Sequence, residues 1–328
     1  MRFLPTYHYR VWGSRSLSNL RLGPASKDDT IGETWLLGDR QDHPSAVADG
    51  PLLGWTMRDL MERVPEQLLG SQSNQFHKFP LLLKFLYAHN TLSVQVHPSD
   101  ADVDLLPLGE SGKTEAWVIL DTGPDGLVFL GLKPGTTAED LERGITAGTV
   151  PDRLLSFSPK VGDCVLIPAG TVHSLGGDLV VFEIQQNSDV TYRLYDWDRT
   201  DPQTGRPREL QIPQALACIN FEAAPVGVAI PVSETTGRFL RERLISCEYF
   251  DLWRISGDSP FPVGAKDALR VLVLVSGEGE VDYDGKKYPA QRDDALLLPA
   301  EVGVCLFHPS EATTLLEISL PKQAIEHT

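Results

Sequence analysis

The most constraining feature of this chain is the length of its apolar runs. Leu92-Ser93-Val94-Gln95-Val96, Ala116-Trp117-Val118-Ile119-Leu120, Val128-Phe129-Leu130, Cys164-Val165-Leu166-Ile167 and Leu179-Val180-Val181-Phe182-Glu183-Ile184 are each of strand length and too short for an ordinary helix. Glycine (28) and proline (24) separate them throughout the 328 residues. Short strands at close spacing, with turn residues between them, predict a mainly β chain folded as barrels or sandwiches.

Three stretches carry a helical period instead. Thr56 to Leu69 places Leu60, Met61, Val64, Leu68 and Leu69 on one face, with Pro65 starting or kinking a segment. Thr137-Ala-Glu-Asp140 reads as a capping box for a helix running through Ile145. Pro207 to Ile219 is the third, with Pro213 arguing for a break or a new first turn. After Phe221 the extended segment Ala223 to Pro231 leads into a second β series, in which Asp284-Gly285 is a hairpin turn signal. The expected division is a domain over 1–220, including helical insertions at about 56–69 and 207–219, and a second β domain over 221–328. Both halves share a strand that ends in Leu166-Ile-Pro168 or Leu297-Leu-Pro299.

Charge narrows the function classes. There are 45 acidic and 29 basic residues, a net of −16. Nucleic-acid binding needs a basic footprint and is not expected. An anionic substrate would have to be drawn in by a local positive site against the global field. No apolar run approaches the ~20 residues of a membrane helix, and the opening residues lack the apolar stretch of a signal peptide. Cys164, Cys218, Cys247 and Cys305 are widely spaced, as expected of reduced thiols. The expectation is a cytoplasmic protein that meets neither nucleic acid nor membrane.

Four residues could together hold a metal. In Val94-Gln95-Val96-His97-Pro98, Gln95 and His97 share one strand face. Glu115 opens the apolar run that ends at Leu120. The segment from Gly162 through Pro168 and Gly170 to His173 runs strand, turn, histidine, which swings an imidazole back over a sheet. Each is unremarkable singly. Together Gln95, His97, Glu115 and His173 supply two nitrogens and two oxygens, a set suited to Zn²⁺ and also open to Mn²⁺, Fe²⁺ or Ni²⁺. With one carboxylate, the loaded site keeps a formal charge of about +1 and favours an anionic or oxyanionic ligand.

The Gly162 to His173 segment resembles the second signature motif of the cupin superfamily, with Gly177 where the usual asparagine stands. Gln95-x-His97 with Glu115 resembles the first motif, with Gln in place of its first His. That replacement, the stretch from Phe79 to Pro98, Gly112-Lys-Thr-Glu115, and Tyr192-Arg-Leu-Tyr-Asp-Trp197 together resemble type I mannose-6-phosphate isomerases, in their compact bacterial branch. Val11-Trp12-Gly13 and Ile31-Gly32-Glu33-Thr34-Trp35 fit the same family. The resemblance implies two cupin-type β-barrels (jelly-rolls) with a small helical section, the first barrel bearing one Zn²⁺ and the second metal-free.

The implied reaction interconverts mannose 6-phosphate and fructose 6-phosphate by moving a proton between C2 and C1 through an enediolate. The expected partner is that sugar phosphate, and the expected assembly a monomer or homodimer. Lys113 lies two residues before Glu115 and so leaves the strand on the ligand's face; the resemblance implies that it contacts substrate. A lysine desolvated beside a dication would have a lowered pKa. Glu183, Asp189 and Arg193 match family positions near the substrate, with Arg193 on the phosphate or the enediolate. Ser93 shares the face of Gln95 and His97 and is placed to donate to phosphate, and Trp12 is a candidate pocket wall. Glu183, Lys113 and a metal-bound water all remain open as the base. Two other readings stand beside this one: a non-catalytic sugar-phosphate-binding cupin, and a metal-dependent cupin oxygenase.

Overall fold

The structure, a computed structural model, describes residues 1–14, 30–234 and 237–321. It is mainly β and of the expected cupin type. Its contacts gather into two units. The first comprises Tyr7–Trp35 and Leu81–Val228; the second comprises Met1–Thr6, Leu36–Pro80 and Ala229–Thr328.

The first unit is built on β1 (Thr6–Ser14), β2 (Ile31–Leu37), β3 (Leu81–Ala88), β4 (Val94–Val96), β5 (Glu115–Thr122), β6 (Val128–Leu132), β7 (Leu154–Phe157), β8 (Cys164–Ile167), β9 (His173–Leu175), β10 (Leu179–Gln186) and β11 (Tyr192–Tyr195), followed by a short hairpin, β12 (Thr200–Asp201) and β13 (Arg206–Pro207). A six-stranded sheet runs β1-β2-β3-β10-β5-β8 and a five-stranded sheet runs β11-β4-β9-β6-β7. Between them Leu86, Trp117, Ile119, Val128, Leu175 and Val181 form one apolar cluster. The back of the smaller sheet, through Val94, Val96 and Leu194, is covered by Leu141 and Ala215 of two helices. The helix Ala138–Ala147 starts at the capping box read from the sequence, with Thr137 and Asp140 exchanging both bonds. The last helix is Ile212–Cys218, five residues shorter at its start than the 207–219 period suggested, because Pro213 sits in its first turn and Arg206–Pro207 is drawn into β13.

The second unit contains β14 (Val232–Ser233), β15 (Phe239–Ser246), β16 (Asp251–Gly257), β17 (Phe261–Gly264), β18 (Arg270–Ser276), β19 (Glu278–Tyr283), β20 (Lys286–Gln291), β21 (Ala295–Leu298), β22 (Val304–Pro309) and β23 (Thr313–Ser319). Its sheets run β14-β15-β16-β23-β18-β21 and β17-β22-β19-β20. Ile255, Phe261, Leu272, Leu274, Phe307 and Leu315 fill the space between them. The helices Met57–Arg63 and Pro65–Leu69 belong to this unit; Thr56 caps the first and Pro65 opens the second. No helix among the described residues is long and apolar enough to cross a membrane.

Candidate active site and metal centre

Strand alternation aims the first candidate ligands. Val94 and Val96 are fully buried against the helices behind the small sheet, which turns Gln95 to the opposite face. There Gln95 stands opposite His173 of β9 on one side and Arg193 of β11 on the other. His97 follows at the strand end, and Glu115 opens β5 in the other sheet. The Pro168-Ala-Gly170 turn needs its glycine twice over. Gly170 has φ +82°, and a Cβ there would lie 3.1 Å from the Cys218 carbonyl oxygen. That turn delivers His173 to the first position of β9.

The ligand atoms of His97, Glu115 and His173 all lie within 4.8 Å of one another. His97 Nε2 is 3.5 Å from Glu115 Oε2, and His173 Nε2 is 3.4 Å from Glu115 Oε1. Each imidazole gives its Nδ1 hydrogen to a backbone carbonyl at 2.8 Å, His97 to Val190 and His173 to Thr171. With Nδ1 protonated, both Nε2 lone pairs face the cluster. Burial pushes the pKa of His97 well down, with the Lys113 charge adding to it; burial brings His173 to about 4 against the opposing Thr171 bond. Both rings are therefore neutral near pH 7, the form that ligates a metal.

Glu115 is fully buried, and neither of its oxygens makes a well-formed hydrogen bond; Lys113 Nζ lies 2.9 Å from Oε2 as an ion pair. A buried carboxylate with one ammonium at one oxygen and nothing bonded to the other is incompletely compensated, which is costly. A divalent ion between it and two neutral imidazoles would remove that cost, so the donor set fits a metal. Gln95 enters this set with its nitrogen foremost: Nε2 lies 3.3 Å from His173 Nε2, while Oε1 accepts from Ser93 Oγ at 3.2 Å. To serve as fourth ligand its amide must turn half-way round. Lys113 Nζ also sits 3.2 Å from His97 Nε2. Burial presses the Lys113 pKa down, but Glu115 and Glu183 outweigh burial and raise it. The lowered value expected beside a dication is thus not what the protein groups produce by themselves.

Behind the ligands lies a charge network in which Glu183 and Asp189 were singled out from the sequence and Lys84, Glu33 and Arg10 were not. Lys84 is 2% exposed. Its Nζ is 3.4 Å from Glu183 Oε1 and 3.7 Å from both Glu33 Oε2 and Asp189 Oδ1. Glu33 takes a two-pronged bond from Arg10, Nε at 2.7 Å and Nη2 at 3.0 Å, and a third from Trp35 Nε1 at 2.7 Å. Burial alone would raise the Glu33 pKa, but Arg10 and then Lys84 hold it well below the carboxylate range. Gly32 makes this possible, since a Cβ on it would fall 2.3 Å from the Arg10 Cβ. Glu183 accepts from Trp117 Nε1 at 2.9 Å, its Oε1 is left without a hydrogen bond, and burial followed by the Glu115 charge raises its pKa. The available signal was Lys84 itself, a charge in the middle of the apolar run from Leu81 to Ala88.

Removing one member of a buried ionic network leaves its partners uncompensated. Lys84→Met, which keeps the volume, is therefore expected to destabilise the protein by about 3–5 kcal/mol. Urea unfolding followed by tryptophan fluorescence measures it; a loss under about 1 kcal/mol would mean that the buried Glu33 and Glu183 do not depend on Lys84.

Gln95, Lys113, Lys84, Glu33, Glu183 and Asp189 line one polar cavity of about 480 Å³. It gathers Arg10, Lys84, Lys113, Arg193 and Arg208 against four carboxylates, among them Glu183 and Asp189. A chain of net charge −16 thus has a locally cationic pocket, as an anionic substrate would require. Arg193 Nε donates to Ser93 Oγ at 3.3 Å and Nη1 to the Glu209 carbonyl at 2.8 Å. Burial, then Arg208, lowers its pKa to about 10, which leaves it charged at neutral pH. Ser93 thereby links Gln95 to Arg193, which places it as a bridge inside the wall. Trp12 lines the cavity and belongs to the apolar core at once. Arg208, also missed in the sequence, is braced by Asp196 through Nε at 2.8 Å.

Residues 1–111 match the family model for the catalytic domain of type I phosphomannose isomerase. Mannose-6-phosphate isomerase ManA of Bacillus subtilis (strain 168) is 34% identical over 303 residues, covering 92% of this chain and 93% of that protein. The chain belongs to the type I phosphomannose isomerase family. A mannose-6-phosphate isomerase of Streptococcus mutans is 32% identical over 298 residues, 89% of this chain and 90% of its own. The crystal structure of the Bacillus subtilis mannose 6-phosphate isomerase superposes with a TM-score of 0.88 at 28% identity, over 97% of this chain and 99% of that one. The family match takes in Trp12, Ser93, Gln95 and His97. Membership of this isomerase family sets aside the oxygenase reading.

Proposed function

We propose that the chain interconverts mannose 6-phosphate and fructose 6-phosphate, with one zinc ion held by Gln95, His97, Glu115 and His173. One observation carries the reading: two neutral imidazoles and a buried carboxylate cluster within 4.8 Å, and Lys113, ion-paired to that carboxylate, and Gln95 also line a cavity that collects five cationic side chains. Bound zinc would supply a fixed positive charge that polarises the oxygens on C1 and C2.

The protein groups supply the rest. Arg193 has two of its nitrogens held by Ser93 and Glu209, which fixes its guanidinium beside Gln95 and leaves Nη2 for the anionic oxygens of the substrate. Arg208 adds a second guanidinium from the same wall. The proton that leaves C2 of the aldose and returns at C1 needs a base facing the cavity. Lys113 Nζ is committed to Glu115 and His97 at 2.9 and 3.2 Å, whereas Glu183 Oε1 makes no hydrogen bond and has the Lys84 ammonium beside it at 3.4 Å. Glu183 therefore takes the proton from C2, an enediolate forms, the O2 hydroxyl proton passes to O1, and Glu183 returns its proton to C1. Lys113 holds Glu115 in place, and Lys84 does the same for Glu183.

The test is fructose 6-phosphate formation from mannose 6-phosphate before and after chelation, with zinc added back. Activity that falls on chelation and returns with zinc is the expected result. A fully metallated protein without turnover would support a binding protein instead. Recovery with iron or manganese but not zinc would overturn the choice of metal.

A further inference from the structure

The two six-stranded sheets share one strand order, and their register agrees at a set of matching positions. In the first unit, Glu183 of β10 pairs with Lys84 of β3 and Trp117 of β5. In the second, Glu317 of β23 pairs with Trp253 of β16 and Leu272 of β18. Two residues before Trp117 stands Glu115, opposite Ile167 of β8. Two residues before Leu272 stands Arg270, opposite Leu298 of β21. Ile167 and Leu298 each precede a proline. Arg270 therefore occupies, in the second sheet, the place that the candidate ligand Glu115 occupies in the first. The sign of the charge is inverted there.

A cavity of about 790 Å³ opens over that position, lined by Arg241, Arg243, Lys266 and Arg270 against Asp251 and Asp267. Glu317, 1% exposed, is engaged behind them: it accepts from Arg241 Nη2 at 3.1 Å and from the Gly264 amide at 2.8 Å. Counting it, one positive charge is in surplus. Asp251 is occupied by the Ser246 hydroxyl at 2.6 Å. The Arg241 guanidinium lies 5.1 Å over the Trp253 ring, which holds its plane. Donors outnumber acceptors: Arg241 Nε, Arg270 Nε and Trp253 Nε1 are buried with no hydrogen-bond partner. Unmet donors of this kind are costly, and an oxyanion supplies several acceptors at once. A cavity this size exceeds a bare phosphate and suits a phosphorylated small molecule.

We propose that the mouth of the second barrel is an anion site that takes a phosphate group through Arg241, Arg243 and Arg270. The shared chemistry is the phosphate; its source is free phosphate or a sugar phosphate. The test is equilibrium dialysis of inorganic phosphate against the whole chain after chelation, in an Arg193→Ala background that weakens the catalytic cavity. The expected result is one remaining phosphate per chain, bound about tenfold or more weakly in Arg270→Gln, and several-fold more weakly in Arg243→Gln. In the otherwise wild-type enzyme, Arg243→Gln should leave isomerase kcat unchanged. If Arg270→Gln does not fold, Arg243→Gln decides alone, since that side chain is half-buried. Retention of phosphate with unchanged affinity in the folded variants would overturn the site, as would the absence of any component beyond the one lost with Arg193. Repeating the dialysis with mannose 6-phosphate separates the sources: tighter binding than inorganic phosphate identifies an ester ligand, and equal binding identifies free phosphate.

Discussion

Replacing His173 by alanine is expected to empty the metal centre and to lower turnover by at least about 10³-fold. The ring is fully buried, its Nδ1 is tied to the Thr171 carbonyl, and its Nε2 faces Glu115 at 3.4 Å. The ligand is thus oriented before any ion arrives, and alanine removes both the donor and its support. What remains is His97, Glu115 and the Gln95 amide, and Glu115 falls back on the Lys113 ammonium at 2.9 Å, a competitor for the same carboxylate. Metal content after dialysis, measured by elemental mass spectrometry on a variant with native circular dichroism, checks the first half. Full occupancy in that variant would remove His173 from the ligand set. Chelation and the variant should produce the same residual rate, because both act through loss of the same charge.

Arg193→Ala separates the metal from the rest of the site. The variant should keep its metal and lose about 10²–10³-fold in kcat/KM, the range seen when one preorganised donor is removed. Arg193 is paired across the sheet with Gln95 and bonded to Ser93, so its guanidinium is aimed by the same segment, residues 93–97, that carries two candidate ligands. Lysine should restore little of the loss: it offers a point charge and cannot hold Ser93 and the Glu209 carbonyl while presenting another nitrogen. Steady-state assays with metal content measured on the same samples decide it, and a rate within a few-fold of the parent would place Arg193 outside the chemistry.

The candidate metal ligands were legible as candidates in the sequence because each sits at a place where local rules suffice. Gln95 and His97 share a face by strand alternation, and His173 follows a Pro-x-Gly turn whose glycine takes a positive φ. The helix over residues 138–147 was legible for the same reason, since Thr137 and Asp140 form its cap within four residues. Lys84, Glu33 and Arg10 were not, although all three lie in quoted or adjoining stretches. Their meaning arises only when β1, β2, β3 and β10 come to lie side by side. Arg208 was hidden likewise, because its bond to Asp196 matters only once Arg208 borders the cavity. The start of the last helix was misplaced because periodicity does not register that Arg206–Pro207 pairs with Thr200–Asp201.

The pairing of Gln95 with His173 also sets a timetable. Seventy-eight positions separate the two residues, and β5, β6, β7 and β8 are made in between. A chain emerging from the ribosome therefore carries Gln95, His97 and Glu115 through most of the synthesis of this barrel before the second imidazole exists. The candidate metal site stays incomplete until that long-range closure, which is also the slow kind of contact in folding. The newly made protein first secures its strands and only then assembles the full set of candidate ligands.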